Sequence, residues 1–316
     1  MTRVISLKKE LSPSDAGLRI DVVIAKMFPE FSRTHIQKWI KGGYLKLNGK
    51  KTKPKFIIEG KEVVSIEVKE EELSNDKPED IKLNILWEDK DILIINKPPN
   101  LVVHPGAGNK HGTLVNGLLH YDKDLSYLPR AGIVHRLDKN TSGVMIVTKN
   151  EHSYLHLIKQ FKERAVSREY LAIVIGELIS GGIIDKPLGR HPRYRTKQAV
   201  LKGGKEAITH FTIADKFKGH SLLKISLKTG RTHQIRVHLS YIGFPIIGDS
   251  TYGGRSKFAP NISQSLRESI KIFKRQALHA SSVKFTHPRN NKKINVDSKL
   301  PKDMTKLIKS LKRDEK

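Results

Sequence analysis

The chain has no cysteine among its 316 residues, which excludes disulfides, thiol nucleophiles, iron–sulfur clusters and thiolate zinc sites. It also lacks any apolar run of the roughly 18 residues that a membrane-spanning helix needs, and it has no basic amphipathic helix with a broad aromatic face. Residues 1–15 carry charges where a signal peptide would need an apolar centre. The expectation is a cytoplasmic protein with no membrane partner. No GxGxxG or Walker pattern is present, so no nucleotide cofactor is expected. The histidines are scattered, and His233 and His238 stand five apart, a spacing that separates them by about 140° on a helix. No metal site is expected from them. Acids are scarce: 32 Asp and Glu face 59 Lys and Arg, for a net charge of +27. Such an imbalance points to a polyanionic partner, nucleic acid first.

The scarce acids are unevenly spread. Residues 67–80 hold seven of them against two lysines and show no periodic apolar pattern, so this stretch reads as an acidic linker. The remaining 302 positions carry 57 basic and 25 acidic residues, so the positive charge belongs to the folded parts. Upstream, residues 17–66 form a small unit. Ser32 is a helix cap, Ile36, Trp39 and Ile40 recur at helical spacing, Gly42-Gly43 ends the helix, and Tyr44 to Leu47 with Asn48-Gly49 reads as a strand entering a tight hairpin. The unit carries eleven Lys and Arg against four acids. Arg33, Lys38, Lys41 and Lys46, on the helix and hairpin, are the candidate phosphate contacts. Downstream, strand-like runs recur at 92–96, 144–148, 170–175, 207–213 and 222–227, with helices expected at 113–119, 153–163 and near the C-terminus. Many strands with few crossover helices favour an α+β domain around a mixed, largely antiparallel sheet. The acid-free tract from Arg190 to Lys205, with Arg190, Arg193 and Arg195, reads as a second RNA grip.

The most informative segment is His135-Arg136-Leu137-Asp138-Lys139-Asn140-Thr141-Ser142-Gly143, directly before the apolar run Val144 to Val147. It sets one carboxylate between two cations in a loop at the mouth of a strand, which biases the carboxylate towards its ionised form. The segment resembles the His-Arg-Leu-Asp-x-x-Thr-Ser-Gly signature of the RluA-type pseudouridine synthases. Residues 88–106, Arg168-Glu169-Tyr170-Leu171, Thr229 to Arg236, Gly248-Asp249 and Tyr252-Gly253 follow in that family's order. The likeness runs from about Ile81 to the C-terminus. The 104–108 stretch, the 190–196 tract and Arg275 to Ala280 look most like the branch that modifies 23S large-subunit ribosomal RNA. Asn140 departs from the pattern, since many members carry an acid there. Residues 17–66 resemble the ribosomal-protein-S4-like RNA-binding domain.

The resemblance implies a pseudouridine-synthase fold over residues 81–316, no cofactor, and a chain acting as a monomer on large-subunit ribosomal RNA or its assembly precursor. It implies Asp138 as the catalytic carboxylate, Arg236 as its ion-pair partner, Tyr170 against the target base and Arg136 as a residue that holds or replaces the extruded nucleotide. Moving uracil from a nitrogen to a carbon link on the same ribose involves no net redox change, so a single carboxylate suffices in principle. It can attack the anomeric carbon or remove the neighbouring ribose proton, and the sequence leaves both routes open. His135, His104 and His233 are expected to hold loops together. The rivals are a non-catalytic ribosome-assembly factor, for which an anion in a positive cleft has no use, a glycosidase, which would release free uracil, and a synthase acting on transfer RNA.

Overall fold

The structure, a computed structural model, describes residues 2–74, 76–106, 108–253 and 258–314. Asn75 of the acidic segment and Ala107 of the 104–108 stretch lie outside them. Among the described residues no helix is long and apolar enough to cross a membrane.

The N-terminal unit comprises β1 (Thr2–Glu10), α1 (Ile20–Met27), α2 (Arg33–Gly42), β2 (Leu45–Leu47), β3 (Lys50–Lys51) and β4 (Val63–Glu71). Its four strands pair antiparallel in the order β1-β4-β2-β3. Ser32 caps α2 by accepting from the His35 amide, and Gly43 ends the helix at φ 77°, a left-handed angle that glycine adopts without strain. Ile36, Trp39 and Ile40 turn inward against Ile20, Ile24, Val64 and Ile66, forming a core of the unit's own.

The expected linker at 67–80 needs correction, because residues 67–71 complete β4, and residues 2–10, left outside the expected unit, form its partner strand. Val64, Ile66 and Val68 alternate inward while Glu67, Lys69 and Glu71 face outward. The same period of two that buries the strand makes its sequence read as an acidic run. Residues 72–74 and 76–80 then lie along the second unit. The Leu73 amide donates to the Ser126 carbonyl at 2.8 Å, Asn116 Nδ2 donates to the Lys77 carbonyl at 2.7 Å, and the Glu79 carboxylate accepts from the Gly112 amide at 3.0 Å.

The second unit follows as β5 (Ile85–Glu88), β6 (Ile92–Lys97), α3 (Leu114–Tyr121), β7 (Ser142–Thr148), α4 (Glu151–Lys162), β8 (Ser167–Ile175), β9 (Gly182–Asp185), β10 (Leu188–Arg190), β11 (Gln198–Val200), β12 (Ile208–Phe217), β13 (His220–Leu227), α5 (Gln234–Tyr241), α6 (Gln264–Ile272), β14 (Leu278–Thr286), β15 (Lys293–Asp297) and α7 (Lys302–Arg313). Nine of these strands form one sheet, in the order β5-β6-β7-β14-β8-β13-β12-β9, with β15 on β14. Only β7 and β14 run parallel. The α+β reading and the mixed, largely antiparallel sheet both hold. Strand β6 shows why the middle of the sheet is apolar on both faces. Leu93 and Ile95 point to the core beneath α3, whereas Ile92 and Ile94 meet Leu157 of α4 on the other side.

One glycine is required where the sheet changes direction. Gly143 has φ 120°, and a Cβ there would come within 2.1 Å of the Ala280 carbonyl oxygen. The last residue of the Asp138 segment is glycine because β14 lies against it.

Candidate active site

Asp138 sits on the loop that enters β7, and its neighbours fix the loop so that its side chain is free to face outward. Leu137 is buried, the Thr141 amide closes a turn on the Asp138 carbonyl at 3.0 Å, and Ser142 Oγ bonds His279 Nδ1 at 2.9 Å. The next two carbonyls are held by cations. Lys97 Nζ donates to the Lys139 carbonyl at 3.0 Å and Arg275 Nη1 to the Asn140 carbonyl at 3.1 Å. His135 accepts the Ile146 amide at 2.8 Å through Nε2, and burial holds its ring neutral, with a pKa pushed down to about 3. It holds the loop, as expected.

The partner of Asp138 comes from α5. That helix starts at His233, whose φ of 57° lies in the left-handed region, and the turn before it is tied by Gln234. The Gln234 side chain accepts from Thr229 Oγ1 and the Arg231 amide and donates to the Ile208 carbonyl and Thr209 Oγ1, each at 2.9–3.0 Å. Arg236, one turn on, divides its guanidinium between two carboxylates. Nη1 donates to Asp138 Oδ2 at 2.9 Å, while Nε and Nη2 fork onto Asp249 at 2.7 and 2.9 Å. Burial opposes the charge on Arg236, but the Asp249 hydrogen bonds and the field of both aspartates outweigh it and raise its pKa above the ordinary arginine value. The Tyr252 ring lies 5.0 Å from this guanidinium, and its hydroxyl bonds His233 Nδ1 at 2.7 Å and accepts the Gln198 amide of β11 at 2.9 Å.

These elements frame a cleft of about 50 Å³ lined by Asp138, Arg136, Tyr170, Arg231, His233 and Arg236, among others. Asp138 is the one carboxylate among its lining residues. Tyr170 reaches it from the middle of the sheet, paired with Ile225 of β13 and Ala280 of β14, and burial pushes its hydroxyl pKa upward. The space opens to solvent, and exposed Arg136 lies at its edge.

The structure thus brings Asp138, Tyr170, Arg236 and Arg136 together. Arg190, Arg193 and Arg195 are exposed on the β10–β11 hairpin and do not line the cavity; the Gln198–Tyr252 bond joins their hairpin to the stack on Arg236. Lys38, Lys41 and Lys46 are exposed on the N-terminal unit. Arg33 differs from expectation, since its guanidinium forks onto buried Asp21 at 3.0 Å on both bonds, beside a second fork from Arg19. Burial acts to raise the Asp21 pKa, but hydrogen bonds from Arg33, Gln37 and Arg19 outweigh it and lower it. Arg33 is committed to holding α1 and α2 together.

Sequence reasoning missed Lys97 and Arg275 as supports of the loop, and Asp249 as the anchor of Arg236. Lys97 is fully buried and donates to the carbonyls of Pro98, Leu101 and Lys139, three acceptors for three ammonium protons. Burial pushes its pKa down to about 7, against the pull of Asp138. Asp89, Asp91 and His287 bring three ligand-type atoms within 4.8 Å of one another. They form an ion-pair clasp: Arg289 forks onto Asp91 at 2.6 and 2.7 Å, and Asp89 accepts from His287 at 2.7 Å and from two backbone amides at 2.8 Å.

Comparison with known proteins agrees with this geometry. Residues 91–241 match the family model described as RNA pseudouridylate synthase, and residues 18–64 match that of the S4 domain. A protein of Xanthomonas campestris named "Ribosomal large subunit pseudouridine synthase D" is 46% identical over 98% of this chain and 94% of its own length. One of the same name from Escherichia coli is 43% identical over 99% and 97%. The solved structure of human RNA pseudouridylate synthase domain containing 4 aligns with a TM-score of 0.57 at 25% identity, covering 72% of this chain and 93% of that one. Near-complete coverage at such identity, on a fold that places the signature aspartate against a buried arginine, makes this chain a member of the RNA pseudouridylate synthase family.

Proposed function

We propose that the protein isomerises specific uridines of 23S large-subunit ribosomal RNA, or of its assembly precursor, to pseudouridine, with Asp138 as the catalytic carboxylate. Relatives of near-equal length that carry the name of a large-subunit ribosomal enzyme support the substrate. The observation that carries the chemistry is a lone cavity carboxylate hydrogen-bonded to a cation that is itself buried and anchored. A uridine stacked in RNA must be extruded before its glycosidic bond can be reached. Arg136 at the wall is the residue to take its place or hold it out. With the base inside, Asp138 either attacks the anomeric carbon or removes the adjacent ribose proton. Arg236 holds the carboxylate aimed through the first step, and the released uracil stays among cations while it turns. Tyr170 presents its ring to the base and its hydroxyl to the carbon that gives up a proton. The N-terminal unit, residues 2–71 with Lys38, Lys41 and Lys46, and the hairpin with Arg190, Arg193 and Arg195, grip flanking RNA. The chain acts as a cytoplasmic monomer.

The test is to map pseudouridine as chemically blocked reverse-transcription stops on ribosomal RNA from cells with the protein, without it, and with Asp138→Asn. One or more large-subunit stops should vanish in both deficient cells, while the variant binds the RNA as tightly as wild type or more so, having lost a negative charge near phosphate. Stops that persist with Asp138→Asn refute its role. Stops lost only from transfer RNA refute the ribosomal target.

A further inference from the structure

A second cavity of about 740 Å³ opens between α6, α7 and the loop after β6. That volume lies within the roughly 300–1,000 Å³ of small-ligand sites. Its floor is apolar, formed by buried Phe273 and Leu307, and Ile272, which is 76% exposed, stands at its edge. Its rim carries Lys274, Lys306, Lys309 and Arg313, all exposed, and none of the four ion-pairs with another described residue. The one acid on the lining, Asp303, is already held by the Arg275 fork at 2.6 and 2.9 Å. An apolar floor beneath four uncompensated cations suits a ligand with a flat apolar body and a phosphate.

The position of this cavity narrows the choice of ligand. Asn140 lines it, while Asp138 and Thr141 of the same loop line the smaller cavity. Two residues of backbone span at most about 7 Å, so the cavities are neighbours across one loop. The Arg275 side chain that walls the large cavity also holds the Asn140 carbonyl.

We propose that this cavity binds one or two unstacked nucleotides of single-stranded RNA next to the target uridine, with their bases against Ile272 and their phosphates on Lys306, Lys309 and Arg313. The location beside the target rests on the isomerase reading above; the preference for single-stranded RNA rests on the cavity itself.

The experiment is an anisotropy titration of fluorescein-labelled oligouridylate, nine nucleotides long, with the full chain over a series of salt concentrations. Lys306→Glu/Lys309→Glu should weaken binding at least tenfold and lower the slope of log affinity against log salt by roughly 1.4, about 0.7 for each single-strand phosphate contact. Ile272→Ser, at an exposed position, should weaken binding several-fold with the salt slope unchanged, because it removes a base contact and no charge. Lys159→Glu/Lys162→Glu, exposed on α4, which packs on the opposite face of the sheet from α6 and α7, is the control for net charge. The proposal is overturned if the cavity pair costs no more than the control pair, if Ile272→Ser binds as wild type does, or if uridine monophosphate binds as tightly as the nonamer. The assay reads binding alone, so failure here leaves the isomerase reading standing. Failure of that reading, seen in the Asp138→Asn mapping, leaves this assay its meaning.

Discussion

Asp138 owes its position to three buried basic side chains, of which only Arg236 touches its carboxylate. Lys97 and Arg275 act one and two residues along, on backbone carbonyls, and fix the loop. Arg236 does two things at once, bonding Asp138 with one nitrogen and Asp249 with the other two. A lysine keeps the charge but cannot serve both carboxylates in a plane. Arg236→Lys should therefore lower turnover on the order of a hundredfold, the equivalent of about 2.7 kcal/mol or one to two charge-assisted hydrogen bonds. RNA affinity should change by less than about threefold. Single-turnover rates and equilibrium binding, measured separately, check this, and equal losses in both would make Arg236 a phosphate contact instead. The pairing of Arg236 with Asp138 was readable from the resemblance. Lys97 was not, because no acid stands near it in the sequence, and its key acceptor lies 42 residues away. Nothing local marks a lysine as buried when its partners are carbonyls of a distant loop.

At the scale of elements, periodicity revealed those with one wet face and concealed those with none. Strands β6, β7, β8 and β13 and helices α2, α3, α4 and α7 were expected close to where they lie. Helix α5 was not, because Gln234 to Leu239 are all buried, so polar Gln234, Arg236 and His238 break the apolar stripe that would mark a helix. Strand β14 is the same case, with His279 and Ser282 buried between β7 and β8. The junction of α2 with α4 was also illegible, being a contact between elements far apart in the chain. There His35 of α2 lies between Glu151 of α4, at 2.5 Å, and Glu70 of β4, at 3.1 Å, with the Phe31 and Trp39 rings beside it and Arg3 on the far side of Glu70. Burial works against its charge, but the bonds to Glu151 and Glu70 prevail and raise its pKa from 6.5 to about 9. The folded pKa exceeds the unfolded one, so this contribution is complete below about pH 6.5 and is lost as pH rises through about 9. It should amount to on the order of 2 kcal/mol once partial exposure is allowed for. Melting temperature against pH should fall more steeply for wild type than for His35→Gln between pH 6.5 and 9.5. Parallel curves would show that the ring does not clamp the two units together.

On the whole molecule, the +27 charge acts through where it is held. The small unit folds around its own core, with β1 and β4 supplying an edge pair that its sequence hid among charges. It is docked through His35 and through the contacts of Leu73, Lys77 and Glu79 with the second unit, so its basic face keeps one direction relative to Asp138. Arg33 is taken up by Asp21, which leaves Lys38, Lys41 and Lys46 as the exposed cations of the candidate grip. These three should add affinity on large RNA and contribute nothing to chemistry, because none lines the cavity. The triple variant Lys38→Ala/Lys41→Ala/Lys46→Ala leaves the helix and hairpin cores untouched and should fold normally. If each lysine meets one phosphate, counterion release lowers the slope of log affinity against log salt by roughly 0.7 to 0.9 per contact, or about 2 to 3 in all. The expected result is weaker binding of large-subunit RNA at moderate salt, convergence with wild type at high salt, and unchanged turnover once RNA is saturating. A full wild-type slope in the triple variant would mean that this face does not touch RNA, and the unit's docking on α4 would then be its main contribution to the enzyme.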